Sequence, residues 1–112
     1  MKINIKATNI DLTEAIREYT MEKVQAMEHY FDNIQNADVE IGLDSQNKAK
    51  PFFAEVNLAV PGKLIRVSKN SEDLYKAIDK VKDHMKVELD KLKGKMRDKD
   101  KGILRQQKGY KM

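Results

Sequence analysis

A long amphipathic stretch between Ser71 and about Lys99 dictates much of what this sequence can form. Apolar residues recur there at spacings of three and four, which is typical of a helix with one buried face. Asn70 or Ser71 is expected to cap this helix, because either side chain can accept a hydrogen bond from its first backbone amides. The predicted buried stripe consists of Leu74, Ile78, Val81, Met85, Leu89, Leu92 and Met96.

Four shorter segments alternate apolar and polar residues, which is the pattern of β-strands with one buried face. They cover residues 2–7, 38–44, 52–60 and 64–68. A second amphipathic stretch predicts a helix from about Leu12 to Phe31, capped by Asp11 or Thr13. The outer face of this helix is acidic, with Glu14, Glu18, Glu22 and Glu28.

The order of these segments predicts an α+β fold of the form β-α-β-β-β-α. Because each helix has one apolar stripe and the strands are polar on one face, we expect a four-stranded mixed sheet with two helices packed on one face. The first helix would make a right-handed crossover between parallel strands. This topology is similar to that of a double-stranded-RNA-binding domain. Residues 1–99 are predicted to form the domain, and residues 100–112 a basic, flexible C-terminal tail.

The composition indicates the compartment in which the protein is expected. The sequence has no cysteine, which excludes disulfides and thiolate zinc sites. Its apolar runs are short and it opens on an alternating segment, so neither a signal peptide nor a membrane span is expected. We therefore expect a soluble protein of the reducing cytoplasm, with no membrane partner.

Enzymatic chemistry has little support in the sequence. His29 and His84 lie on different predicted helices, so they do not form a histidine pair of metal-binding spacing. Asp38 and Glu40 share a strand face, but alternation alone explains their placement. The sequence has no Gly-rich phosphate loop and no nucleophile motif. We therefore expect no enzyme activity, no cofactor, no metal and no small-molecule substrate.

Positive charge is concentrated towards the end of the sequence. Residues 91–112 carry nine Lys and Arg against two Asp and Glu, whereas residues 1–90 carry 13 against 16. A long packed helix bordered by cations indicates a surface that binds phosphates. One flank of its apolar stripe has Lys82, Lys86, Lys93 and Arg97, and the other has Lys80, His84, Lys91 and Lys95.

Lys23 interrupts the apolar stripe of the first helix. It is either an ordinary lysine whose stem covers apolar surface or a phosphate ligand at the groove between the helices. Aromatic residues make up only 6% of the sequence, and no ladder of exposed Phe or Tyr is interleaved with the lysines, which argues against base stacking as the main contact. Any RNA binding is thus expected through phosphates and shape.

Three segments carry a resemblance to a known family. They are residues 9–19, the pair Tyr30-Phe31, and residues 72–79 with their Asp-Leu-Tyr and Ala-Ile-Asp pattern. In these segments and in its element order, the sequence resembles the ribosome hibernation promoting factors and ribosome-associated translation inhibitors of the sigma-54 modulation protein family. The resemblance implies a domain that occupies the messenger RNA and transfer RNA path of the small ribosomal subunit in stress or stationary phase. It implies the small subunit and its rRNA as partners, with inhibition by steric occupancy alone.

The resemblance also implies which residues bind RNA. The family's cationic positions match Lys23, Lys86, Lys91, Lys93 and Lys95, and with Lys82 and Arg97 these form the predicted RNA-binding set. Within the signature, Asp79 is expected to pair with Lys82 or Lys86 on its own helix. The sequence departs from the family at Ala26, His84 and Val87, where relatives often carry basic residues.

Longer members of the family carry a second domain that pairs two ribosomes. This sequence is expected to behave as the short form or as the amino-terminal part of a longer protein, which leaves self-association open. Two other functions also fit. The acidic first helix and the open sheet face could bind a transcription component, as the sigma-factor modulation name suggests. A general domain for structured or double-stranded RNA is the third reading, and it rests on element order alone.

Overall fold

The elements of the fold follow the predicted order. The computed structural model describes the backbone of residues 1–108 and the side chains of residues 1–95. The elements are β1 (Lys2–Thr8), α1 (Glu14–Gln25), a 3₁₀ turn (Ala26–His29), β2 (Asn36–Leu43), β3 (Phe52–Val60), β4 (Lys63–Ser71) and α2 (Leu74–Lys108). The predicted β-α-β-β-β-α arrangement is confirmed.

The four strands form one mixed sheet in the order β1-β2-β3-β4. β1 runs parallel to β2, and the remaining neighbours are antiparallel. In one row across the sheet, Ile5 lies opposite Val39, Val39 opposite Val56, and Val56 opposite Val67. This apolar row faces the helices: α2 packs on β3 and β4, while α1 contacts β1 and α2. The predicted arrangement of two helices on one sheet face is thus confirmed.

The core lies between α2 and the sheet. Met85 and Leu89 of α2 are fully buried, and Val24 and Met27 close the core beneath α1 and the 3₁₀ turn. Thr20 is also fully buried, and its hydroxyl donates a hydrogen bond to the Ile16 carbonyl at 2.7 Å. This bond satisfies the hydroxyl inside the core without a tertiary partner.

α1 begins after Thr13, one of its two predicted caps, but it ends earlier than the sequence predicts. The Thr13 side chain caps α1 by accepting a hydrogen bond from the Ile16 amide at 3.2 Å. After Gln25 the chain tightens into the 3₁₀ turn, as helix ends often do, so the α-helix stops before the predicted Phe31.

The predicted Asn70 or Ser71 cap of α2 is wrong. β4 continues to Ser71, which pairs with Phe52 and is 2% exposed. Asp73 takes the capping position instead, since its Oδ1 accepts a hydrogen bond from the Tyr75 amide at 2.8 Å. Its carbonyl accepts the first helical bond, from the Ala77 amide at 3.0 Å.

Asn9 and Gly42 determine the backbone path at the junction between β1 and α1. Asn9 adopts a positive φ of 59°, a conformation that asparagine tolerates better than most residues, and its side chain donates to the Leu43 carbonyl at 3.3 Å. Gly42 of β2 lies directly opposite Thr8. A Cβ at position 42 would lie 2.1 Å from the Thr8 carbonyl oxygen. Glycine is therefore required for β1 to approach β2 here.

α2 extends well past the sheet that it covers. Its backbone continues to Lys108, while the side chains of the predicted site residue Arg97, of Met96 and of the predicted tail at 100–112 lie outside the described residues. The domain boundary at residue 99 stays a prediction. Among the helices described, none combines the length and the apolarity needed to cross a membrane.

Candidate nucleic-acid interface

α1 and α2 run side by side in the same direction, and their facing side chains form a groove. Contacts advance along the chain on both sides: Tyr19 and Lys23 of α1 meet Tyr75 and Asp79 of α2, and Tyr30, just after the 3₁₀ turn, meets Lys86. The two rings are 4.8 Å apart in an edge-to-face arrangement, the Lys23 Nζ to Asp79 Oδ1 distance is 3.8 Å, and the Lys86 Nζ lies 5.5 Å from the Tyr30 ring centroid. Here "the groove" denotes the surface bordered by these six residues.

The contacts identify which flank of α2 faces the groove. Successive residues of an α-helix are rotated by about 100°, so Lys82 and Lys93 project on the same side as Lys86. We call Lys82, Lys86 and Lys93 the groove flank. Lys91 and Lys95 are rotated from it by roughly half a turn and form the far flank. The structure therefore places Lys23 and Lys86 at the groove, with Lys82 and Lys93 on the same side of α2 as Lys86, and it separates Lys91 and Lys95 from them.

The lysines differ in how far they reach into solvent. Lys86, Lys91 and Lys95 are exposed, whereas Lys82 and Lys93 are half-buried along their stems. A lysine stem on apolar surface with its ammonium in water fits this intermediate burial. The groove flank thus carries positive charge in contact with solvent, while the stems of Lys82 and Lys93 are partly buried.

Lys23 lies at the groove between the helices, and its role as a phosphate ligand stays a prediction. Its side chain is 27% exposed, and its ammonium lies 5.1 Å from the Tyr19 ring centroid, within the range of a cation–π contact. The same ammonium approaches the Asp79 carboxylate. The expected pairing of Asp79 with Lys82 or Lys86 is wrong, because Asp79 reaches across the groove to α1 and does not turn along its own helix.

Asp79 also fixes Tyr19. The Tyr19 hydroxyl donates a hydrogen bond of 2.6 Å to Asp79 Oδ1. This bond, together with burial and the nearby negative charge, raises the pKa of Tyr19 from 10.0 to about 12. The phenol therefore stays protonated and anchored over a wide pH range.

Sequence reasoning missed the tyrosines. Tyr19, Tyr30 and Tyr75 all border the groove, beside Lys23 and Lys86. That base stacking is not the main contact stays a prediction, but the argument for it considered each helix separately and so left out these tyrosines. A signal was present: Tyr19 and Lys23, like Tyr75 and Asp79, are four residues apart and share a helix face. Which two faces meet depends on tertiary packing.

The remaining candidate groups have ordinary structural partners. His84 Nε2 lies 3.2 Å from Glu88 Oε1, one turn along α2. On the open face of the sheet, Asp38 Oδ1 accepts a hydrogen bond from Asn4 at 3.0 Å, and Glu40 Oε2 accepts one from Thr8 at 2.7 Å. Within the described part of the chain, no cluster of three or more His, Cys, Asp or Glu residues has the geometry to hold a metal ion.

This fold and sequence match a known family. Residues 3–97 match the model of the family described as Sigma 54 modulation protein / S30EA ribosomal protein. The chain belongs to this family. The match includes Lys23 and both flanks of α2, so the groove lies within the family's common region.

Curated relatives in the family are named ribosome hibernation factors. The chain is 37% identical over 90 residues to the ribosome hibernation promotion factor of Deinococcus radiodurans, covering 80% of this chain and 47% of that protein. It is 32% identical over 97 residues to the ribosome hibernation promoting factor of Escherichia coli strain K12, covering 87% and 98%. The chain thus spans about half the length of the Deinococcus relative and nearly all of the E. coli relative.

Two solved structures share the fold. A ribosomal subunit interface protein from Coxiella burnetii superposes with a TM-score of 0.74 at 28% identity, covering 84% of this chain and 99% of that one. The N-terminal domain of Thermus thermophilus Protein Y gives a TM-score of 0.71 at 31% identity, covering 82% and 99%. The sequence-based assignment to the hibernation factor family is confirmed.

Proposed function

We propose that this protein is a ribosome hibernation factor that binds the small ribosomal subunit and blocks its messenger RNA and transfer RNA path. The observation that carries the proposal is that Lys23 and Lys86 border one groove, while Lys82 and Lys93 project on the same side of α2 as Lys86. The hibernation factor names of the curated relatives support the same role. The partner is the rRNA of the small subunit, contacted through its phosphates.

The groove suits phosphate binding because its cations come from two rigid elements. Ammonium groups held on packed helices lose little conformational freedom when they meet a phosphate, and each contact releases counterions from the RNA. Lys91, Lys95 and Arg97 extend the proposed basic surface along α2. No bond is made or broken, so inhibition consists of occupancy and reverses when the protein dissociates.

The test is co-sedimentation of the protein with purified small ribosomal subunits over a series of salt concentrations. The logarithm of the affinity should fall linearly with the logarithm of salt, by about 0.7 to 0.9 for each phosphate neutralised. Replacing Lys86 and Lys93 together by Glu should abolish sedimentation. The matched control is Lys2→Glu with Lys48→Glu, which makes the same charge change at exposed positions outside the groove.

Two results would reject the proposal. One is binding that ignores salt, since phosphate contacts require counterion release. The other is an equal loss of binding in the groove variant and in its control, which would indicate an effect of net charge alone. Thermal unfolding of both variants checks that the fold is retained.

The alternative of a protein-binding module keeps one specific support, namely the Sigma 54 modulation description of the family. The exposed carboxylates of α1, among them Glu14 and Glu18, would then be the contact surface. Capture of partners from a nuclease-treated lysate separates the two functions. Partners that persist without RNA favour the protein-binding function.

A further inference from the structure

Tyr75 has an unusual environment for an aromatic residue of a packed helix. It is 40% exposed at the amino-terminal end of the groove, while Tyr19 holds one side of it in edge-to-face contact with an interplanar angle of 87°. Tyr19 cannot turn freely, because its hydroxyl is bonded to Asp79 and its ring lies under the Lys23 ammonium. The Tyr75 ring is therefore supported by a locked neighbour and remains open to solvent.

The surface beside Tyr75 is apolar. A hollow of about 400 Å³ adjoins the ring, and Ile10, Ile16, Phe52 and Leu74 contribute to its wall. Glu72 and Asp73 also line it. Carboxylates repel phosphate but accept hydrogen bonds from exocyclic amino groups of bases, cytosine N4 among them. This end of the groove therefore suits a base, whereas the groove flank suits the backbone phosphates.

We propose that Tyr75 is a stacking platform for an unpaired nucleobase whose strand continues along the lysines of the groove. The inference rests on the proposed function and adds a contact of a different kind. Stacking on an aromatic ring uses the π-face that every base has, and it releases no counterions. A loss of stacking and a loss of a phosphate contact therefore change the salt dependence of binding differently.

The first experiment compares Tyr75→Leu and Tyr75→Phe in sedimentation with small ribosomal subunits. The leucine variant should bind about 5- to 150-fold more weakly at every salt concentration, with an unchanged salt slope, as expected for the loss of one stacked base. The phenylalanine variant keeps the ring and should bind within about twofold of the original protein. Leucine is a good helix former at an exposed position, so the fold should survive.

A second experiment reports on the ring directly. The sequence has no tryptophan, so Tyr75→Trp introduces a unique fluorophore. A single-stranded oligocytidylate of about ten nucleotides should quench it, because this length falls within single-strand site sizes and a stacked base quenches indole emission. The control is Val87→Trp, a position on α2 that is 48% exposed and rotated away from the groove. Its emission should change little.

The outcomes separate the two proposals. If the original protein fails to sediment with small subunits, the proposed function fails. If it sediments but Tyr75→Leu binds equally well, the stacking proposal alone is overturned. A blue shift of the Tyr75→Trp emission on small subunits, without quenching by the oligocytidylate, would assign the ring to a protein contact and would also overturn it.

Discussion

At the scale of single residues, Asp79 links α2 to α1 across the groove. It accepts the Tyr19 hydrogen bond, and it lies 3.8 Å from the Lys23 ammonium. A surface ion pair of this kind contributes at most about 1 kcal/mol to stability, because water and salt screen it. Under the proposed function, we expect its larger effect to be on binding, since a carboxylate beside Lys23 competes with any phosphate for that ammonium.

Replacing Asp79 by Asn should therefore strengthen binding to small ribosomal subunits. The amide oxygen can still accept the Tyr19 bond, while Lys23 becomes available to a phosphate. The salt slope should steepen by about 0.7 to 0.9, the value for one additional phosphate contact. Asp83→Asn, at an exposed position of α2, removes the same charge and should leave the slope unchanged. A weaker complex for Asp79→Asn would mean that the carboxylate positions Lys23 for binding.

The Tyr19 hydrogen bond predicts a specific pH dependence of stability. The fold raises the pKa of Tyr19 above its ordinary value of 10.0, to about 12. The stabilisation is therefore complete below pH 10 and disappears as the pH rises towards 12. The free energy of unfolding of the original protein minus that of Tyr19→Phe should be constant below pH 10 and should fall between pH 10 and about pH 12. A difference that stays constant up to pH 12 would contradict this role of the hydrogen bond.

At the scale of elements, local pattern predicted the fold well. The alternation of apolar and polar residues predicted which side chains of β3, from Ala54 to Val60, point into the core. A strand with one buried face requires an inward side chain at every second position. The start of α2 was mispredicted because Ser71 is a good helix cap by type, and only its pairing with Phe52 shows that it belongs to a strand.

The candidate site was predicted only in part, because it is built from two helices. The cationic flank was visible in the spacing of Lys82, Lys86 and Lys93 along one helix. The Asp79 contacts were not visible, since the residues that Asp79 meets lie about sixty positions earlier in the chain, as in its bond to Tyr19. Pairings of this kind depend on how the helices lie on the sheet.

Two glycines allow a matched test of element packing. Gly42→Ala places a methyl group against the Thr8 carbonyl, so β1 must move, and the protein should lose about 1–3 kcal/mol of stability. Gly94→Ala places its methyl group in open space on α2, where alanine should favour the helix by up to about 1 kcal/mol. Urea unfolding measures the first change and far-ultraviolet circular dichroism the second. Equal destabilisation by both would contradict the described contact between β1 and β2.

At the scale of the whole molecule, charge is distributed by face. The groove flank faces α1, the far flank lies on the other side of α2, and the open face of the sheet pairs its charges across strands, as Arg66 does with Glu55 at 3.9 Å. An RNA strand lying in the groove would meet the groove flank first.

This asymmetry predicts unequal effects of equal charge changes. Lys82→Glu with Lys93→Glu should weaken binding to small subunits far more than Lys91→Glu with Lys95→Glu, because only the first pair lies on the same side of α2 as Lys86, which borders the groove. Sedimentation at a fixed, low salt concentration measures the difference. Equal losses would indicate that RNA surrounds α2 and does not lie in the groove.

The parallel pairing of β1 with β2 also affects how the chain reaches its native state. β3 and β4 are joined by a tight hairpin, whereas Asn4 of β1 meets a partner 34 positions later, with the whole of α1 between them. Contacts so distant in sequence close slowly, and edge strands open most readily. During synthesis, β1 is the first strand to leave the ribosome and has no partner until β2 follows. In the folded protein β1 is an edge strand with β2 as its one strand neighbour, so its amides should exchange with deuterium sooner than those of the central strands β2 and β3.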